Sequence, residues 1–247
     1  MKNLHIVICL TCLLAAAPAS ADFYGGQVYY NRIGGYYSGQ GGEFTLSSDG
    51  GLGLLLNLSA YKEGVTKNVT GSTAFPSFQT FCVEGTEYVA SPMEMMVSTT
   101  FVDESIGGVT GPGSHAILGS MTYGDNLDPM TAYLYTKFAT GTLDGYNYGA
   151  GRSISADALQ KAIWYIEGES GGVNNTFATL ALDAVTSGEW VGMGIGDVRI
   201  LNTWVVGHIG DPDFKLQDQL YLVPVPAAVL LGLLGLGVAG WKLRRFA

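Results

Sequence analysis

The feature that most limits what this chain can fold into is its last stretch: Val223-Pro224-Val225-Pro226, an apolar run from Ala227 to Trp241, then Lys242, Leu243, Arg244 and Arg245 almost at the end. Counted from Val223 to Trp241, the run has about the minimum length that spans a bilayer core as a helix. Basic residues stay on the cytoplasmic side of a membrane, so everything before Val223 is expected to lie outside and to fold without this segment. The N-terminal end points the same way. Met1-Lys2 gives a positive start, Leu4 to Ala17 is an apolar core broken by His5 and Thr11, and Ala19-Ser20-Ala21 is the small-x-small pattern that precedes signal-peptidase cleavage. The expected order is a signal peptide over 1–21, an extracellular β-rich domain over 22–222 and a sorting tail with a transmembrane segment over 223–247. Neither Cys9 nor Cys12 follows the Leu-small-small sequence that lipoprotein processing requires.

The three-part tail of Pro-x-Pro motif, Gly-rich apolar helix and basic cluster resembles the PEP-CTERM signal of Gram-negative bacteria. Val225 stands where the commonest form of that motif has Glu. The resemblance implies export through the Sec machinery, anchoring in the inner membrane through the C-terminal helix, and recognition and cleavage by an exosortase. It further implies a mature protein at the cell surface or in the extracellular matrix, associated with exopolysaccharide in a biofilm. An ordinary C-terminal anchor is the plainer reading of the same residues.

Charge narrows the partners. Of the 12 Lys and Arg residues, Lys2, Lys242, Arg244 and Arg245 lie in the two terminal segments and none of the 21 acidic residues does, so the body carries a formal charge of −13. Such a body repels nucleic acid and anionic membrane surfaces. Its roughly 200 residues suit one domain or two small ones.

The patterning of the body predicts an α+β, mainly β fold: an antiparallel sheet or sandwich with an inserted layer of short helices. Strands are expected at Gln27–Tyr30, Glu43–Leu46, Leu52–Leu58, Phe78–Val83 and Met93–Val102, separated by Gly and Ser-Asp-Gly turn clusters, and again at Val198–Val206 and Gln219–Val223. Between them the period changes. A short helix is expected over Thr131–Phe138, closed by Gly141. A second, capped by Ser155, carries Leu159, Ala162, Ile163 and Ile166 on one face with Trp164 buried against the sheet. A third, capped by Asn175, buries Phe177, Leu180, Ala181, Ala184 and Val185.

With Cys9 and Cys12 in the signal peptide, Cys82 is the sole cysteine of the body, so an intramolecular disulfide is excluded. By default a cysteine between Phe81 and Val83 is a small buried hydrophobe. Three elements give it a second reading: the strand Phe78-Gln79-Thr80-Phe81-Cys82-Val83-Glu84, the helix Leu159-Gln160-Lys161-Ala162-Ile163-Trp164, and the last strand Gln217-Asp218-Gln219-Leu220-Tyr221-Leu222-Val223. Together they resemble the thioester domain of bacterial surface adhesins, with Leu159 where a Thr often precedes the helical Gln. The resemblance implies an internal thioester between Cys82 and a Gln of the closing strand, Gln219 first, Gln217 second and Gln160 third. It also implies a covalent adhesin that traps a surface nucleophile. A thiol held against a side-chain amide in a dry site can displace ammonia, storing an electrophile for an incoming amine or hydroxyl. Gln160 bridging backbone groups and Gln217 and Gln219 as the polar face of an edge strand are the structural alternatives.

Other constellations are thinner. Cys82 with His208 could form the nucleophile pair of an exported cysteine hydrolase, although no hydrolase motif surrounds His208 or His115. Asp125, Asp128, Asp211 and Asp213 lack the spacing of a calcium loop. Gly192, Gly194 and Gly196 are followed by neither a Lys nor a strand-to-helix transition. No cofactor, metal site or enzyme activity is expected from these patterns.

Overall fold

The computed structural model describes residues 23–48, 77–85, 87–98, 127–209 and 211–223, and the fold is that of these residues. The signal peptide, the strand expected over Leu52–Leu58, and Pro224, Val225, Pro226, Lys242, Arg244 and Arg245 of the tail lie outside them. Among the described residues no helix is long and apolar enough to cross a membrane.

Six antiparallel strands form one sheet: β1 (Phe23–Asn31), β4 (Phe44–Ser48), β5 (Ser77–Thr80), β6 (Met93–Ser98), β7 (Val198–Val205) and β8 (Lys215–Leu222), in the spatial order β5-β4-β1-β6-β7-β8. A small hairpin of β2 (Tyr37–Ser38) and β3 (Gly41–Gly42) stands apart from it. Of the antiparallel sheet or sandwich with inserted helices that was anticipated, the described residues form a single six-stranded sheet with helices. In β1 the register against β6 shifts between Tyr24 and Gly26, and Gly26 has φ +85, a left-handed conformation that costs glycine nothing and fits a bulge.

Among the described residues three α-helices follow β6: α1 (Pro129–Ala139), α2 (Arg152–Ile166) and α3 (Thr176–Thr186). Helix α1 starts two residues before the expected Thr131 because Asp128 caps it, accepting from Met130 N at 2.7 Å, and Pro129 supplies a preset φ in the first turn. Helix α2 starts at Arg152 rather than near Ser155. The Ser155 hydroxyl accepts from Asn147 N at 3.0 Å, outside the helix, and the first turn is fixed by Arg152, whose guanidinium forks onto buried Glu43 at 2.6 and 2.8 Å. Asn175 caps α3 as expected, accepting from Phe177 N and Ala178 N. Phe177, Ala181 and Ala184 are buried there, with Leu180 and Val185 packed half-buried against the core.

The core is aromatic where α1 meets the sheet. Phe81 packs edge-on against Phe138 at 4.9 Å between ring centres, Phe138 against Tyr146 at 5.1 Å, and Phe78 lies 5.5 Å from Tyr221. Such pairs add to the area they bury. Helix α2 turns instead toward the β2–β3 hairpin and α3. Trp164 is buried, as its spacing predicts, and the loop that meets its ring carries Gly171.

The two ends of the strand order come together. Beyond β5 the chain runs on through Phe81, Cys82 and Val83 along β8: Leu220 N donates to Phe81 O (3.2 Å), Val83 N to Asp218 O (3.1 Å), and Gln217 N to Tyr88 O (3.0 Å). The Thr80 hydroxyl adds a bond to Leu220 O at 2.6 Å. Edge strands with unpaired backbone groups invite association, and here each edge is covered by the other.

Candidate functional site

Cys82 lies where those edges meet, paired across the junction with Gln219 as an isolated antiparallel bridge. Its side chain has no exposed surface. Strand β8 begins four residues earlier than its sequence pattern suggests, at Lys215, so Gln217 as well as Gln219 falls within it. The register of β8 against β7 shifts between Gln219 and Leu216, so Gln217 and Gln219 are not related by simple alternation.

The structure brings all three candidate glutamines to Cys82, each differently. Gln217 meets the sulfur: the thiol Sγ donates to Gln217 Oε1 at 2.9 Å, while Gln217 Nε2 donates to Glu84 O at 2.6 Å. The amide is thereby held with its carbonyl toward the thiol. Gln219 sits opposite Cys82, its Nε2 donating to Gln217 O at 3.3 Å, while its Oε1 is buried without a hydrogen-bond partner. Gln160 reaches over from α2 and grips the backbone of Cys82 at both ends, accepting from Cys82 N at 3.1 Å and donating to Cys82 O at 2.8 Å. In effect its amide takes the place of a neighbouring strand. All three are buried.

Helix α2 can approach this closely because β3 offers no side chain at Gly41. A Cβ there would stand 3.4 Å from Gln160 Cγ and from Asp157 Oδ1. A second tie follows three residues after Cys82, where Gly85 N donates to Glu169 Oε2 at 3.0 Å. A Cβ on Gly85 would come within 2.4 Å of Ser170 O, so only glycine fits under that loop.

The electrostatics keep the thiol protonated. Burial pushes Cys82 well above the ordinary thiol value, and the neighbouring Gln219 amide opposes that more weakly; the charge of Glu84 adds to the rise and Arg32 subtracts from it. Tyr30, another neighbour, is itself pushed up to about 12, mainly by burial. Arg32 is fixed nearby by bonds to Gly39 O (3.1 Å) and Gly41 O (2.7 Å) and by stacking on Tyr37, 3.7 Å from the ring centre. A neutral thiol in this setting is a poor target for solution reagents. It is, however, already in contact with the one carbonyl it would have to attack.

His208 has other company: it stacks on Phe214 at 3.7 Å and its Nδ1 is 3.8 Å from Asp211 Oδ2, in the connection between β7 and β8. Asp128 is a helix cap and Asp213 lies in a one-turn 3-10 segment, Pro212–Phe214. Among the described residues no group of His, Cys, Asp and Glu is placed to hold a metal ion.

Sequence reasoning did not single out the contact between Lys215 and Asp218, whose side chains have no exposed surface. Charged residues in a strand read as a solvated face, and only the covered sheet edge turns them inward. No protein-family model matches this chain, and no curated protein and no solved structure matches it either.

Proposed function

We propose that this is a non-enzymatic, exported surface or extracellular-matrix protein that acts as a covalent adhesin through an internal thioester between Cys82 and Gln217. The 2.9 Å contact between the Cys82 thiol and Gln217 Oε1, at a buried junction of two strands, carries this reading. Gln217 thus moves ahead of Gln219, the first choice that the resemblance to thioester domains implies. Gln219 becomes the polar neighbour paired opposite Cys82, and Gln160 the positioning residue that fixes the backbone of Cys82.

The chemistry balances without a cofactor. Sulfur attacks Cδ of Gln217, the S–Cδ bond forms, the Cδ–Nε2 bond breaks, and the thiol proton leaves on nitrogen as ammonia. Held reactants substitute for an activated nucleophile, since preorganised contacts of this kind are worth several kcal/mol of barrier, about 7 or more in favourable cases. An amine or hydroxyl of a neighbouring surface, such as an exopolysaccharide or a protein, then opens the thioester and remains bonded to the Gln217 carbonyl, regenerating the thiol.

The terminal segments supply location: Sec export, an apolar tail in the inner membrane of a Gram-negative cell, and exosortase processing near Val223-Pro224-Val225-Pro226. The reactivity is tested on mature protein prepared without nucleophiles and unfolded in the presence of an alkylating agent. The expected result is that Cys82 resists alkylation until the protein is treated with an amine, and that Cys82→Ala abolishes amine uptake while export proceeds. Immediate, complete alkylation of the unfolded chain would reduce Cys82 to a packing residue.

A further inference from the structure

At the end of the sheet where β7 begins and β8 stops lies a loop that the thioester chemistry does not use. Between Glu189 and Asp197 the chain reads Trp190-Val191-Gly192-Met193-Gly194-Ile195-Gly196, a run without a charge. Trp190 and Ile195 pack back onto the core, the Trp190 ring 5.7 Å from that of Tyr133, whereas Val191 and Met193 are 57% and 55% exposed. Glu189, at the foot of the loop, is paired with Lys137 at 2.8 Å.

The polar groups of this loop are largely satisfied from within the protein. Met193 N donates to Trp190 O (3.1 Å), Gly196 N to Met193 O (3.2 Å) and Val198 N to Ile195 O (3.1 Å), while Trp190 Nε1 donates to Gly194 O and Arg199 Nη1 to Gly196 O, both at 2.8 Å. Gly192 and Gly194, at φ +76 and +57, supply left-handed turns that fold the loop this way. Apolar side chains borne on a backbone whose carbonyls are already bonded enter a lipid interface without stranding polar groups there.

The place of the loop in the fold says which surface it meets. Val223 N, just past the end of β8, donates to Asp197 O at 2.9 Å, and Val198 pairs with Leu222. Val223, the residue before the Pro-x-Pro motif, therefore sits at the root of the loop. The turn from Met193 to Gly196 spans less than about 7 Å, and Asp197 follows directly. From Val223 to Ala227, where the apolar run begins, four peptide steps reach at most about 14 Å. We propose that the 190–196 loop docks on the bilayer that holds the apolar run 227–241, seating Val191 and Met193 among the lipid headgroups as a second point of contact. This inference rests on the reading of 227–241 as a membrane segment and goes beyond it, because a single anchor sets the height of the body and not its tilt. The acidic body is not drawn to an anionic surface by itself; the tail brings the loop there at high effective concentration. Two contacts hold the Val223 end of the sheet toward the membrane and turn the opposite end, with the connection that carries His208 and Phe214, away from it.

The experiment attaches an environment-sensitive dye to single introduced thiols of the tail-bearing mature chain, reconstituted in vesicles of phosphatidylethanolamine and phosphatidylglycerol. The vesicles carry a spin-label quencher either near the headgroups or deep in the acyl chains. Val191→Cys and Met193→Cys probe the loop, and Leu234→Cys probes the tail. Tyr88→Cys, at a position 82% exposed and bonded through its carbonyl to Gln217 N, probes the body away from the anchor. Cys82 is wholly buried and takes no dye in the folded protein. The loop dyes are expected to lose emission to the shallow quencher, the tail dye to the deep one, and the dye beside Gln217 to neither. Val191→Asp should diminish the quenching of the dye on the Met193→Cys variant and leave that of the tail dye unchanged. Loop dyes that stay as bright as the one beside Gln217, with the tail dye quenched, overturn the docking and leave the anchor standing. An unquenched tail dye overturns the membrane segment and the docking with it. Equal quenching beside Gln217 and in the loop also overturns the proposal, since the body would then touch lipid with no preference for the loop.

Discussion

At the scale of single residues, the site was half legible. Cys82 stands out in the sequence as the lone cysteine of the body, and the two glutamines of the closing strand stand out through the resemblance to thioester domains. Which glutamine meets the sulfur was not legible, since Gln217 and Gln219 stand two apart in the sequence and only the bulge in β8 distinguishes them. Glu84 was visible as an acidic residue after Cys82, but its burial depends on the covered edge. It leads to a pH prediction. Burial raises the Glu84 carboxyl well above its ordinary value, so the folded state holds that proton more tightly than the unfolded chain. The resulting stability is fully present below the unfolded value and is lost as pH rises through the folded one, at about 1.4 kcal/mol per unit of difference. Thermal unfolding should therefore show a melting temperature that falls from mildly acidic toward alkaline pH, with a flatter slope in Glu84→Gln. Equal slopes would mean that Glu84 ionises freely.

At the scale of elements, periodicity found all three helices and most strands, because apolar spacing survives whatever the tertiary partners are. It misplaced the start of α2 because the ion pair between Arg152 and Glu43 links residues more than one hundred positions apart, which no local pattern encodes. The same distance makes the pair a test. Arg152→Met strands a buried carboxylate and is expected to cost about 3–5 kcal/mol in chemical denaturation; a loss under about 1 kcal/mol would show Glu43 rescued by Tyr146 or by water. Trp164→Ala should cost a similar amount, about 3–5 kcal/mol, through lost contacts and a residual cavity. Unchanged melting would place Trp164 outside the packed face of α2.

At the scale of the whole molecule, the meeting of the sheet edges is what converts a buried cysteine into a candidate reactive centre: it sets Cys82 against β8 while α2 holds its backbone from the side. The terminal segments bear on where this happens. In a host with an exosortase, Pro224→Ala with Pro226→Ala should trap uncleaved protein in the inner membrane, whereas unchanged release would remove the sorting claim. The most direct test of the central claim is the reaction of the mature, folded protein with methylamine followed by peptide mapping. Before treatment the chain is expected to be lighter by about 17 Da, the loss of one ammonia. After treatment a single methylamide should appear at Gln217 together with a free Cys82 thiol. An unmodified Gln217 in a chain without the ammonia deficit would contradict the thioester, and a methylamide at Gln219 would contradict the assignment of its partner.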